Sequence, residues 1–82
     1  MKTNDLKKGT RVKLANGWEA EIWDNKKGNT RVCNVFGDFT EAGSVYAHDI
    51  VGYKDVNGNW NYDMEYTESQ LKCKKAVRAM GW

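Results

Sequence analysis

Residues 6 to 39, LKKGTRVKLANGWEAEIWDNKKGNTRVCNVFGDF, decide the fold. Short alternating runs sit between turn signals: Asn16-Gly17, the stretch from Asn25 to Asn29 around Gly28, and Gly37-Asp38. The residue pairs at the two tight turns suit positive φ, which selects Asn and Gly in hairpin connections. Strand period two then assigns the faces. In Thr10 to Ala15, Val12 and Leu14 point inward and Arg11 and Lys13 outward; in Trp18 to Asp24, Trp18, Ala20 and Ile22 point inward. The run Thr30 to Phe36 does not alternate cleanly, which predicts a strand covered on both faces.

Beyond Phe39, TEAGSVYAHDIVGYKD reads as a strand, a single 3₁₀ turn around Ala47 to Asp49, and a further strand from Ile50 to about Tyr53. Gly43 and Gly52 mark bulges or bends. Asn57-Gly58 signals another hairpin, and WNYDMEY predicts an edge strand with Trp60, Tyr62, Met64 and Tyr66 on one face and acids on the other, a guard against sheet aggregation. Thr67 and Gln70 have capping-box spacing for a C-terminal helix. Cys73, Ala76, Val77 and Met80 share the face expected to pack, and Gly81 stops the helix, with Trp82 folding back onto Val77.

The expected architecture is mainly β, a small barrel of five or six antiparallel strands with one C-terminal α-helix. Eighty-two residues without proline make one domain. Residues 6–54 form the barrel, 55–66 a hairpin and edge strand, and 67–82 the helix. A chain this short buries only about 60% of its unfolded surface, enough for one core. No apolar run reaches the length of a membrane span, and MKTNDLKKG lacks the apolar stretch of a secretory signal, so a cytoplasmic location and no membrane partner are expected. Cys33 and Cys73 are too few for a zinc tetrad, so no metal or other cofactor is expected; two free thiols are expected in preference to a disulfide.

The net charge of +2 hides a segregated pattern. Residues 1–31 hold eight Lys/Arg against four Asp/Glu, residues 32–70 one against seven, and residues 71–82 four against none. The acidic middle argues against a glove that wraps nucleic acid on every side and leaves a one-sided contact allowed.

Lysine-flanked Gly9 before a strand and the Asn16-Gly17 hairpin in LKKGTRVKLANGWEAEI resemble the opening of SH3-like barrels of the KOW and Tudor sort, and GSVYAHDI is similar to the way such barrels close. The resemblance covers about residues 6 to 54. It implies a binding fold whose relatives take RNA, DNA, ribosomes or peptides, and so names no partner. A short barrel with a lysine-rich start and a small terminal helix is also similar to small accessory proteins of tailed bacteriophages, which implies action in a host cytoplasm.

Trp23 beside Lys26, Lys27 and Arg31 forms one candidate binding constellation, offering an indole for stacking next to cations. The alternative is that Trp23 packs beneath the helix. Lys72, Lys74, Lys75 and Arg78 form a second basic candidate, with Leu71 on the same helix face. Asp38, Glu41, Asp55, Asp63, Glu65 and Glu68 are too scattered for a calcium loop; they are solvating groups or an acidic patch that docks on a basic protein. His48-Asp49 lacks the third group and pocket that catalysis needs, so a non-catalytic protein is expected. Two functions follow: an accessory or effector protein that docks on a host or viral protein and modulates or inhibits it, or a KOW-like nucleic-acid binder. Self-association would instead favour an assembly component.

Overall fold

A computed structural model describes residues 1–24 and 28–81. Six antiparallel strands form one open sheet: β1 (Arg11–Leu14), β2 (Glu19–Ile22), β3 (Thr30–Phe36), β4 (Thr40–Tyr46), β5 (Ile50–Lys54) and β6 (Trp60–Asn61), with α1 (Glu68–Ala79) at the C-terminal end. The order across the sheet is β4-β3-β2-β1-β5-β6. The first four strands are a meander; the chain then makes a 3₁₀ turn at Ala47–Asp49 and returns to pair β5 with β1. A second 3₁₀ turn, Thr3–Asp5, precedes the sheet.

Alternation in β1 and β2 does what the sequence implies. Val12, Leu14, Ala20 and Ile22 are buried and meet Leu6, Cys33 and Ile50 in one apolar core. The predicted irregularity at Gly52 is a bulge: Lys13 pairs with Gly52 but Leu14 pairs with Ile50, leaving Val51 extra. Gly43 makes no bulge, since β4 stays in unbroken register with β3 from Thr40 to Tyr46.

Five expectations need correction. Trp18 is not a core residue: it lies just outside β2, is 44% exposed, and covers Gly37. A Cβ on Gly37 would come within 2.5 Å of the Trp18 ring, so this glycine serves close approach, not a left-handed turn. At the β1–β2 turn only Gly17 has positive φ (91°), while the Asn16 side-chain oxygen accepts the Trp18 N–H.

The WNYDMEY run keeps only two residues in the sheet, and Tyr62 is exposed. Its ring lies over Gly52, after which the chain leaves the sheet and follows the N-terminus: Glu65 bridges Lys2, and the Met1 ammonium donates to the Asp63 carbonyl.

The helix cap is as read, with Thr67 and Gln70 exchanging side-chain and backbone hydrogen bonds. The packed face differs. Gln70 is buried and Cys73, Lys74 and Val77 are half-buried, whereas Ala76 and Met80 are exposed. Gly81 takes φ 83° at the helix end, and Trp82 lies outside the described residues.

Candidate functional site

Two neighbouring regions decide what the surface can do: a sealed polar hub at the start of α1, and an open groove beside its later turns.

Arg31 belongs to the hub. It points to the inner side of β3 and is 1% exposed, so its guanidinium is withdrawn from the surface where it would accompany Trp23. Nη1 donates to the carbonyls of Gly28 and Thr30, both at 2.8 Å, and Nη2 to Asn4 Oδ1 at 2.9 Å. Gln70 joins the same acceptors, its Nε2 donating to Asn4 Oδ1 and the Gly28 carbonyl. Gln70 Oε1 accepts from Thr3 Oγ1 and the Thr67 N–H. Burial pushes the Arg31 pKa down, and the Asp24 carboxylate opposes that shift. A buried cation held by neutral carbonyls and amides ties together the N-terminus, the segment before β3 and the first turn of α1.

Trp23 is 44% exposed. Lys26 and Lys27 lie outside the described residues. Arg11 and Lys13 are engaged on the outer face of the sheet: Arg11 donates to Glu19 at 3.1 Å and lies 4.0 Å over the Phe36 ring, and Lys13 stands 3.7 Å from Glu19 and 4.6 Å over Trp60.

The helix cations divide. Lys72 is exposed and pairs with Glu68 one turn back, and Lys75 and Leu71 are exposed too. Lys74 and Arg78 instead line a groove of about 550 Å³ with Ala15, Tyr46, Asp49, Val51, Tyr66 and Val77. Its floor is fixed by the Ala15 N–H donating to the Asp49 carbonyl and by Tyr66 Oη donating to the Ile50 carbonyl at 2.7 Å. His48 is buried there, stacked on Tyr46 with ring centroids 5.0 Å apart, with Nε2 3.6 Å from Asp49.

The groove continues. Ala15, Tyr46 and Asp49 also line a second depression of about 420 Å³ that runs along β4 between Glu41, Gly43 and Val45 and the Leu14 to Trp18 turn. Trp18, Val35 and Glu41 carry it into a third hollow of about 140 Å³ with Asp38 and Phe39, a ring 77% exposed. The result is one path with apolar and aromatic walls, Asp38 and Glu41 at one end and Lys74 and Arg78 beside Asp49 at the other.

The remaining acids do not join it. Asp55 is spent on its own turn, accepting from the N–H groups of Asn57 and Asn59 and from the Asn61 side chain, bonds that hold its pKa below the usual carboxylate range. Asp63 is held low by the N-terminal ammonium, Glu65 sits on the bridge to Lys2, and Glu68 is in the first turn of α1. The predicted acidic patch is therefore split, with only Asp38 and Glu41 at the groove.

Tyr46, Tyr66, Val77 and Trp18 escaped the sequence reading because alternation placed them in the core or on an unremarkable face. The exposed phenylalanine after Gly37-Asp38 was the one local hint. Among the described residues no helix is long and apolar enough to cross a membrane. Comparison with known proteins finds no matching family model, no matching curated protein and no matching solved structure.

Proposed function

We propose that the protein is a non-catalytic binding module that docks on another protein and modulates or inhibits it, in the manner of a phage accessory protein acting on a host or viral target. One observation carries this reading: the continuous groove, with apolar stretches along its walls, Asp38 and Glu41 at one end, and Lys74 and Arg78 outnumbering Asp49 at the other. Apolar walls supply binding energy by losing water, and ordered charges orient a partner and reject those of the wrong polarity. The return of β5 to β1 through a 3₁₀ turn supports an SH3-like barrel as the underlying scaffold.

The test is affinity capture from a bacterial lysate at low salt with the wild-type protein and with Lys74→Glu/Arg78→Glu. A stoichiometric protein partner retained by the first and released by the second is expected. Failure of the wild-type protein to retain any stoichiometric protein overturns the reading.

The nucleic-acid alternative has in its favour the half-exposed Trp23 and the cations of α1. Burial of Arg31 and the Glu19 pairing of Arg11 and Lys13 weaken it, because these groups are not free to neutralise phosphate. Salt-sensitive binding of single-stranded or duplex oligonucleotides at about 50 mM salt, lost in Trp23→Ala, would restore it.

A further inference from the structure

We propose that the free edge of β4 takes an extended segment of the partner as an added antiparallel strand, with an acidic residue at the segment's N-terminal end and a basic residue at its C-terminal end. This rests on the protein-docking reading above and specifies how the partner is held.

Sheet hydrogen bonding sets which groups are free. The Trp23 N–H donates to the Val32 carbonyl at 2.9 Å, in the same register that pairs Glu19 with Phe36, so even-numbered residues of β3 bond to β2. Arg31, Cys33 and Val35 therefore bond toward β4, where they face Val45, Gly43 and Glu41. The bond from the Ala47 N–H to the Asn29 carbonyl continues that parity. Thr40, Ala42, Ser44 and Tyr46 consequently turn their N–H and C=O groups to the other side. β4 ends the sheet order, and among the described residues no strand takes those groups.

Edges of this kind are ordinarily guarded by shortness, proline, lysine or a bulge. β6 at the opposite edge is two residues long. β4 has seven residues, contains neither lysine nor proline, and pairs with β3 without a bulge. Its centre is Ala42-Gly43-Ser44, and a Cβ built on Gly43 meets nothing within 4 Å, so the face of the strand toward the groove is uncrowded. An incoming strand would gain main-chain bonds from the edge and apolar contact from the groove alongside.

Charge complementarity sets the direction. β4 runs from the Asp38 and Glu41 end of the groove toward the Lys74 and Arg78 end, where the two cations outnumber the Asp49 carboxylate. An antiparallel addition, the arrangement β4 already has with β3 and the more stable one per residue, begins beside the two cations and finishes beside the two carboxylates.

The probes are two peptides of one composition, acetyl-Glu-Ser-Val-Thr-Val-Ser-Lys-amide and the same residues in reverse order, titrated into the full chain and followed by amide NMR and hydrogen exchange. The Glu-first probe is expected to bind at least tenfold more tightly and to slow exchange at Ala42, Ser44 and Tyr46. Ser44→Pro, which removes an outward N–H and leaves the β3 pairing, should weaken it at least tenfold. The charge-reversed variant Glu41→Lys/Lys74→Glu/Arg78→Glu should invert the preference, a readout that does not depend on the proline variant folding. Equal binding of the two orders, absence of protection at those amides, or protection arising from self-association of the free chain overturns the proposal. If Ser44→Pro still retains the lysate partner that Lys74→Glu/Arg78→Glu releases, strand addition fails and docking stands. Recovery of no partner by the wild-type protein overturns both.

Discussion

Arg31 and Arg78 are the same residue type in two regions that share one helix, and they do opposite things. At the first turn of α1, Arg31 is enclosed and every element around it is tied to Gln70, Asn4 or Gly28. Two turns later Arg78 faces an open groove beside Tyr46 and Val77. The helix is fastened at its N-terminal end and stands off the sheet beyond it, and that standing-off makes the groove. Basic residues in this chain are thus separated by burial, not by their density along the sequence.

The contrast is sharpest in stability. Arg31→Ala removes the side-chain donor of the Thr30 carbonyl, leaves Asn4 and the Gly28 carbonyl with Gln70 alone and opens a hole in the hub, and should cost about 2–4 kcal/mol in urea unfolding, whereas Lys74→Ala and Arg78→Ala should each stay within about 0.5 kcal/mol. A loss below about 1 kcal/mol for Arg31→Ala would remove the distinction between hub and groove.

Next in size is a pair of glycines. Gly37→Ala drives a methyl into the Trp18 ring and should destabilise by about 1–3 kcal/mol, with a shift in tryptophan emission. Gly43→Ala enters open space and should be neutral or stabilising by about 0.5 kcal/mol, because alanine loses less backbone entropy in a strand. Equal effects would mean that the face of β4 at Gly43 is as closed as the Trp18 contact.

Thiol reactivity reads the same difference chemically. Burial, then the Asp24 charge, pushes the Cys33 thiol up to about 11, while Cys73 is half-buried on the helix. Labelling at pH 8 with a thiol-specific reagent should modify Cys73 first and Cys33 only as the chain opens. The sign also follows: the fold favours the protonated Cys33 thiol, so its contribution is present below the usual thiol pKa and is lost as pH rises toward 11.

The smallest effect contrasts the two sheet edges. Asp55 is lowered chiefly by the Asn61 side chain and then by backbone N–H groups, so it supports the β5–β6 turn above the ordinary carboxylate pKa and loses that support as pH falls through its own lower value. Amide shifts of Asn57 to Asn59 should move on acidification, while those of β4, which has no such carboxylate clamp, should not follow the same titration.

Much of the scaffold was legible locally. Val12, Leu14, Ala20 and Ile22 alternate because a strand with one buried face must, and Thr67 and Gln70 sit three apart because the first helical turn needs partners for its N–H groups. The packed helix face was not legible. The apolar stripe through Ala76 and Met80 is real in the sequence, but the hydrogen bonds of Gln70 to Asn4, Gly28 and Thr3 fix the rotation and turn that stripe outward. Nor could alternation foresee Trp18 outside the core, because its seat on Gly37 comes from a hairpin nineteen residues further along the chain.

By itself the sequence determined the period-two strands, the hairpin glycine at position 17, the 3₁₀ turn before Ile50 and the capped C-terminal helix. These depend on neighbours within a few residues, where backbone sterics and hydrogen-bond needs act directly. Only the tertiary structure decided that Arg31 is internal, that Lys74 and Arg78 line a groove with Tyr46, and that β4 ends the sheet with one side open. Burial and edge exposure are set by which distant segments meet, so the same arginine or the same strand is structural or available according to what the rest of the chain packs against it.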